Sequence, residues 1–217
     1  MRIDHVVLAV WDLAGSAARL RAETGLASIP GGHHPGWGTA NRIVPLGGDY
    51  VELLSVVDPA LGAGSRLGRT LEELTRDGRD RWFSVCVATA DIDATAARLG
   101  MAVEAGSRMR PDGTEVRWRG AGIEDPSRPN WLPFFIDWQM PQDQHPGRAT
   151  ATHRAHPRGI ASVEIGGDPT AMRAWLGEGA SEVPLRVADD GRAYGVRSVT
   201  VGVEGGEAIV IEGAPSL

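Results

Sequence analysis

Short aliphatic runs alternate with polar, glycine-punctuated stretches, and the pattern recurs three times along the chain. The first copy begins IDHVVLAVWDLAGSAARLRAETG. Residues 3–10 are rich in β-branched and aliphatic side chains and predict a strand. Asp12 caps a predicted helix running to about Glu23, with Leu13, Ala17, Leu20 and Arg21 at helical spacing, and Gly25 closes it. A Gly/Pro-rich loop follows, SIPGGHHPGWG. Residues 40–46 and 49–57 then predict two strands joined by Gly47-Gly48, a hairpin signal. The second copy begins RWFSVCVATADIDATAARLG; it places Ser84–Ile92 under His5–Leu13 at a constant offset of 79 without a gap. Strands are predicted over 115–120 and 134–138, behind a turn at Pro111-Asp112-Gly113. The third copy, GIASVEIGGDPTAMRAWLG, has a predicted strand over 160–165, a cap at Asp168 and Pro169 at the first helical position. Strands over 196–203 and 207–212 follow, joined at Gly205-Gly206. This copy is shorter and matches with a one-residue slip.

Two segments lie outside the repeats. Residues 65–80 read as a connecting helix with Leu67, Leu71 and Leu74 on one face. Residues 141–158 are polar and Pro-punctuated, and read as a linker. The predicted architecture is α+β: two units, 1–57 and 81–140, linked by the helical connector, then a third, degenerate unit over 159–217.

Composition narrows the function classes. The chain has 217 residues, with 22 basic against 28 acidic side chains and a net charge of −6, so no basic excess points to nucleic acid. Every basic residue is Arg, which excludes a Schiff-base lysine, pyridoxal chemistry and the Lys-dependent phosphate loop. The single Cys, Cys86, excludes an internal disulfide and a Cys-cluster metal site. One unpaired Cys and the lack of a signal-peptide pattern predict a cytoplasmic protein. The apolar runs are too short to span a bilayer, so no membrane partner is expected.

Three motifs then carry a resemblance: Ile3-Asp4-His5-Val6-Val7, His34-Pro35-Gly36-Trp37-Gly38-Thr39-Ala40-Asn41, and Tyr50-Val51-Glu52-Leu53-Leu54. Together with the paired units, residues 1–140 resemble the glyoxalase-like domain group of the vicinal-oxygen-chelate superfamily (glyoxalase I, bleomycin-binding proteins, extradiol dioxygenases). The resemblance implies repeated βαβββ units, two of them forming a concave sheet around a divalent metal. It implies a small-molecule substrate and admits a homodimer, but not a particular reaction.

Four residues are candidate metal ligands. His5 interrupts an aliphatic strand; a buried, satisfied core histidine is the alternative, and the resemblance favours a ligand. Glu52 interrupts YVELLSVV, where a buried carboxylate is costly unless paired or metal-bound; the resemblance implies a metal Glu there. Asp137 interrupts LPFFIDWQ and lies under Glu52 when Tyr50-Val51-Glu52 is aligned with Phe135-Ile136-Asp137. A fourth ligand, His or Gln in the resembled proteins, falls on Ser84, a poor ligand. His34 is the substitute, giving a 2-His-1-carboxylate set for Zn, Fe, Mn, Ni or Co. Trp37, Thr39 and Asn41 are candidates to line a substrate cup; packing within a structural turn is the alternative. Cys86 reads as inert core, His33 as solvated, and His145, His153 and His156 as linker residues without a metal role. Two functions follow as expectations: a metal-dependent lyase, isomerase or dioxygenase, or a metal-free small-molecule binder.

Overall fold

β1 (Arg2–Ala9) shows why its sequence is apolar at nearly every position. In the computed structural model, which describes residues 1–213, this strand is covered on both faces. Val6 and Leu8 join one hydrophobic cluster, Val7 and Ala9 another, and a strand buried on both sides needs continuous apolar residues. α1 (Leu13–Thr24) starts at Asp12, whose side chain accepts from the Ala14 amide, and stops at Gly25 with φ of 75°. β2 (Ile29–His34), β3 (Thr39–Pro45) and β4 (Tyr50–Val56) follow. The connector holds α2 (Pro59–Gly62) and α3 (Arg66–Thr75). The pattern then repeats as β5 (Arg81–Ala88), α4 (Ile92–Leu99), β6 (Val103–Met109), β7 (Glu115–Ala121) and β8 (Phe134–Trp138).

The eight strands form a sheet that closes on itself in the order β1-β4-β3-β2-β6-β7-β8-β5. Two seams join its halves. The β1–β5 seam runs from Arg2↔Ala88 to Ala9↔Arg81, whereas β2 and β6 meet at one pair, His33↔Met109. The third unit comprises β9 (Pro157–Gly166), α5 (Pro169–Leu176), β10 (Leu185–Ala188), β11 (Gly195–Val203) and β12 (Ile209–Glu212), with sheet order β10-β9-β11-β12. Val163, Val199 and Leu176 share a hydrophobic cluster with Val6, Leu8, Val85 and Val87. The third unit therefore covers the outer faces of β1 and β5.

Three strands were not predicted, and each is the first after its helix: β2, β6 and β10. The glycines that made β2 read as a loop are there for the seam. Gly32 has φ of +145°, and a Cβ on it would lie 2.0 Å from the Met109 carbonyl oxygen. β6 is half-solvated and β10 has only four residues, so neither carries an apolar run. Segment 141–158 is not simply solvated, since His145, Pro146 and Gly147 are buried. Residues 214–217 of the expected third unit lie outside the described residues. No helix among those described is long and apolar enough to cross a membrane.

Candidate functional site

Alternate side chains of each barrel strand point inward. On β4 these are Tyr50, Glu52 and Leu54; on β8 they are Phe134, Ile136 and Trp138. With His5, His34, Asn41, Arg108 and Trp118 they line an interior cavity of about 40 Å³. The polar members are buried, whereas Trp37, Trp118, Ile123 and Trp138 are partly exposed, so the way out of the cavity passes aromatic side chains. The rings of Trp37 and Trp118 stand 6.2 Å apart there.

His5 is set by its neighbour. The β1–β5 register slips between Ile3 and His5, and the Asp4 carboxylate comes to lie beside the imidazole, with Oδ1 2.8 Å from Nδ1. The other Asp4 oxygen takes hydrogen bonds from Trp138 Nε1 at 3.0 Å and from His145 Nε2 at 2.9 Å. Burial alone would raise the Asp4 carboxyl, but the bonds from His145 and His5 outweigh it and hold the group well below the usual carboxylate range. An ionised Asp4 accepts only, so His5 donates from Nδ1 and presents the Nε2 lone pair inward. His145 is fixed likewise: its Nδ1 accepts from the Gly147 amide at 3.1 Å, which leaves its proton on Nε2. His145→Ala removes one donor from a fully buried carboxylate. The expected cost is about 1–3 kcal/mol of stability, read as a lower denaturant midpoint with unchanged slope; an unchanged midpoint would show that this contact carries no weight.

Glu52 faces His5 across the cavity. Its Oε2 stands 3.5 Å from His5 Nε2, while Oε1 accepts a short hydrogen bond from Asn41 Nδ2. The Asn41 carbonyl oxygen in turn accepts from Arg108 Nη1 at 3.2 Å, so both ends of the amide are used. His34 bonds the Thr39 hydroxyl through Nδ1 at 3.0 Å, leaving its other ring nitrogen without a protein partner among the described residues. Burial first, then the Arg108 charge, pulls the His34 pKa down to about 3, so its ring is neutral near pH 7. Burial pushes the Tyr50 hydroxyl well above its ordinary value and keeps it a donor.

Of the sequence candidates, His5, Glu52, His34, Trp37 and Asn41 come together at this cavity. Thr39 is buried behind it, serving His34. Asp137 is not brought to it: Phe134, Ile136 and Trp138 face inward, so Asp137 faces outward and accepts from Gln139 at 3.0 Å. The alignment that placed Asp137 under Glu52 is three residues out, and an odd slip in a strand exchanges its faces. The pairing gives the true counterpart. Glu52 lies opposite Val7, and Phe134 lies opposite Cys86, which occupies the Val7 position of the second unit. Ser84, at the His5 position, donates to the Asn130 carbonyl at 2.8 Å and accepts from Arg128 at 3.2 Å. The second unit thus supplies no ligand at either matching position. Asp4, Arg108 and His145 escaped sequence reading. Asp4, His5 and Cys86 also have donor atoms within 4.8 Å of one another. Both Asp4 oxygens are already engaged and burial pushes the Cys86 thiol up, so this cluster is packing around His5.

The ligand-bearing chemistry fits a divalent cation. His5 Nε2 and Glu52 Oε2 face each other at 3.5 Å, beyond good hydrogen-bond distance, and a neutral ring would set two lone pairs against each other there. A cation removes that conflict, and Asp4 behind His5 forms the carboxylate–histidine arrangement that supports a metal-bound imidazole.

Comparison with known proteins gives the same architecture. A model of the glyoxalase-like domain family matches residues 3–179. A hypothetical protein from Staphylococcus aureus superposes with a TM-score of 0.66 at 16% identity, covering 99% of this chain and 87% of that one. A variant of Streptomyces coelicolor methylmalonyl-CoA epimerase, in complex with 2-nitronate-propionyl-CoA, gives a TM-score of 0.46 at 21% identity over 64% of this chain and 99% of its own. The Mycobacterium tuberculosis methylmalonyl-CoA epimerase gives 0.43 at 16% identity over 62% of this chain and 85% of its own. No curated protein sequence matches the chain.

Proposed function

The chain belongs to the glyoxalase-like domain family, and we propose that it is a divalent-metal-dependent enzyme acting on a small organic molecule inside the barrel. The observation that carries this reading is the His5–Glu52 pair, two ligand-type atoms 3.5 Å apart with the imidazole ring held from behind by Asp4. His5 and Glu52 would hold the ion and leave positions open for substrate; His34 lines the same cavity, but among the described residues its ligand atom does not come together with those of His5 and Glu52 within 4.8 Å. When bound, the ion supplies Lewis acidity, stabilising negative charge on a substrate oxygen in isomerase, lyase or dioxygenase chemistry.

The chain's own groups do the rest. Asp4 keeps the His5 ring from turning. Asn41 holds one Glu52 oxygen and so orients the other. Glu52 is the one carboxylate lining the cavity among the described residues, and with one oxygen on Asn41 and the other toward the ion it is committed to holding the centre. Tyr50, protonated and without a hydrogen-bond partner among the described residues, can donate to a developing oxyanion. The tryptophans at the exit exclude water from the buried polar groups. A cytoplasmic setting belongs to the proposal and rests on the single free, buried Cys86.

The test is direct. Native protein is expected to carry about one equivalent of a transition metal by elemental analysis. Metal-stripped protein should gain thermal stability on adding Zn, Mn, Ni, Co or Fe(II). A hundredfold excess over Kd is worth about 2.7 kcal/mol, roughly 5–10 °C for a chain of this size. Protein without metal and without any shift overturns the reading. That result would favour the second one, a metal-free binder, which the loss of ligands at Ser84 and Phe134 in the second unit supports.

A further inference from the structure

Arg108 is a buried cation inside the cavity with no carboxylate in ion-pair contact among the described residues. Its side chain is 3% exposed, and no Asp or Glu oxygen among the described residues lies within 4.0 Å of it; its one hydrogen bond goes to a neutral acceptor, Asn41 Oδ1, at 3.2 Å. A guanidinium carries five N–H donors in a planar fork. Burying that charge with one neutral partner is unfavourable, and burial lowers the Arg108 pKa accordingly.

The fold makes room for this arrangement. A Cβ on Gly31 would lie 2.7 Å from Arg108 Nη1 and 2.0 Å from Asn41 Oδ1. Glycine is therefore required where the guanidinium passes from β6 across the weak seam. An anion is also close at hand and yet is not used. Glu52 lies on the far side of Asn41, whose amide donates to the carboxylate and accepts from the guanidinium. Asn41 keeps the two charges out of ion-pair contact, so Glu52 acts on the guanidinium only through space and burial still lowers the Arg108 pKa. Outside the barrel, Arg108 borders a groove of about 390 Å³ whose lining is mixed in charge, with Arg110 beside Asp112 and Asp143. The guanidinium is turned to the cavity side by its hydrogen bond to Asn41, which lines the interior cavity with it.

We infer that the ligand of this barrel is a small organic carboxylate, its carboxylate paired with Arg108 and its reacting carbon turned toward His5 and Glu52. The inference rests on the proposed enzyme reading and adds the substrate class. A planar carboxylate matches the guanidinium fork with two parallel N–H···O bonds. The small cavity takes the carboxylate and the adjacent carbon, and the rest of the molecule leaves past Trp37 and Trp118.

Binding is read from tryptophan fluorescence and calorimetry on the full chain, with pyruvate, its uncharged amide pyruvamide, and inorganic phosphate as probes, each with and without added Mn(II). Pyruvate is expected to saturate, with pyruvamide at least tenfold weaker. Arg108→Gln should erase that difference while still taking up Mn(II). Arg108→Lys, which keeps the charge and loses the fork, should fall between. If Arg108→Gln does not fold, the pyruvate–pyruvamide comparison in the unaltered protein decides alone. Equal binding of the two, no binding of either, or preference for phosphate overturns the carboxylate assignment. Charge-selective pyruvate binding in protein that takes up no metal would sink the enzyme reading and leave this one standing.

Discussion

Glu52→Gln is expected to lower divalent-ion affinity by at least a hundredfold, beyond the roughly 10–100-fold seen when an outer partner of a metal ligand is lost. The variant differs by one atom and keeps the shape of the side chain. Its amide oxygen can still accept from Asn41, while its N–H₂ then points at the His5 Nε2 lone pair. With the His5 ring neutral, two facing acceptors become a donor and an acceptor. Metal-stripped Glu52→Gln should therefore be as stable as the parent or more so, because a buried charge has been removed and no polar atom is orphaned. Loss of affinity with stability kept is the signature of a site held under electrostatic conflict for function. Calorimetric titration with Mn(II) or Zn(II), alongside urea unfolding in chelator, reads both halves. Unchanged metal affinity would remove Glu52 from the centre.

Metal-stripped protein should also lose stability on acidification, starting near pH 6.5. The His34 imidazole is pulled down from 6.5 to about 3 in the fold, chiefly by burial. Below pH 6.5 the unfolded chain takes up a proton that the folded form refuses until about pH 3. Stability therefore rises with pH across that interval. At about 1.36 kcal/mol per pH unit, the full effect is on the order of 4–5 kcal/mol. His153, half-buried and also lowered by burial, adds in the same direction. Asp4 acts later: its folded pKa is depressed, so its stabilising contribution is intact above its unfolded value of 3.8 and is lost only as the pH falls below that. Urea midpoints for the parent and for His34→Gln at about pH 7, 5.5 and 4.5 check this. The parent should fall steadily and the variant should be flatter; parallel curves would mean His34 does not control the slope.

The fold was legible in the sequence wherever an element announces itself locally. Asp12 and Asp91, each capping a helix closed by glycine, and the unbroken offset between the first two units gave the repeat. β2 and β6 were not legible, because they form where the barrel closes. Their glycines and half-solvated positions make sense only against a strand some seventy residues away. The site divides along the same line. His5 and Glu52 stand out as polar interruptions of apolar strands. Asp137 stands out equally and is misleading, since which face an interruption occupies depends on register rather than on composition. Asp4 should point away from the His5 side by simple alternation, and only the register slip turns it back. His145 sits in a stretch with every mark of a linker, and its role exists only through a contact 141 residues back along the chain.

The two halves of the barrel, descended in form from one repeated pattern, have come to share the work unequally. Every group suited to grip an ion stands on the first half, while the second gives aromatic walls and a lone guanidinium. Changes to those walls can alter which molecule enters without loosening the grip, so that duplication here amounts to a division of labour: one copy is held to its chemistry, and the other is left at liberty to choose the guest.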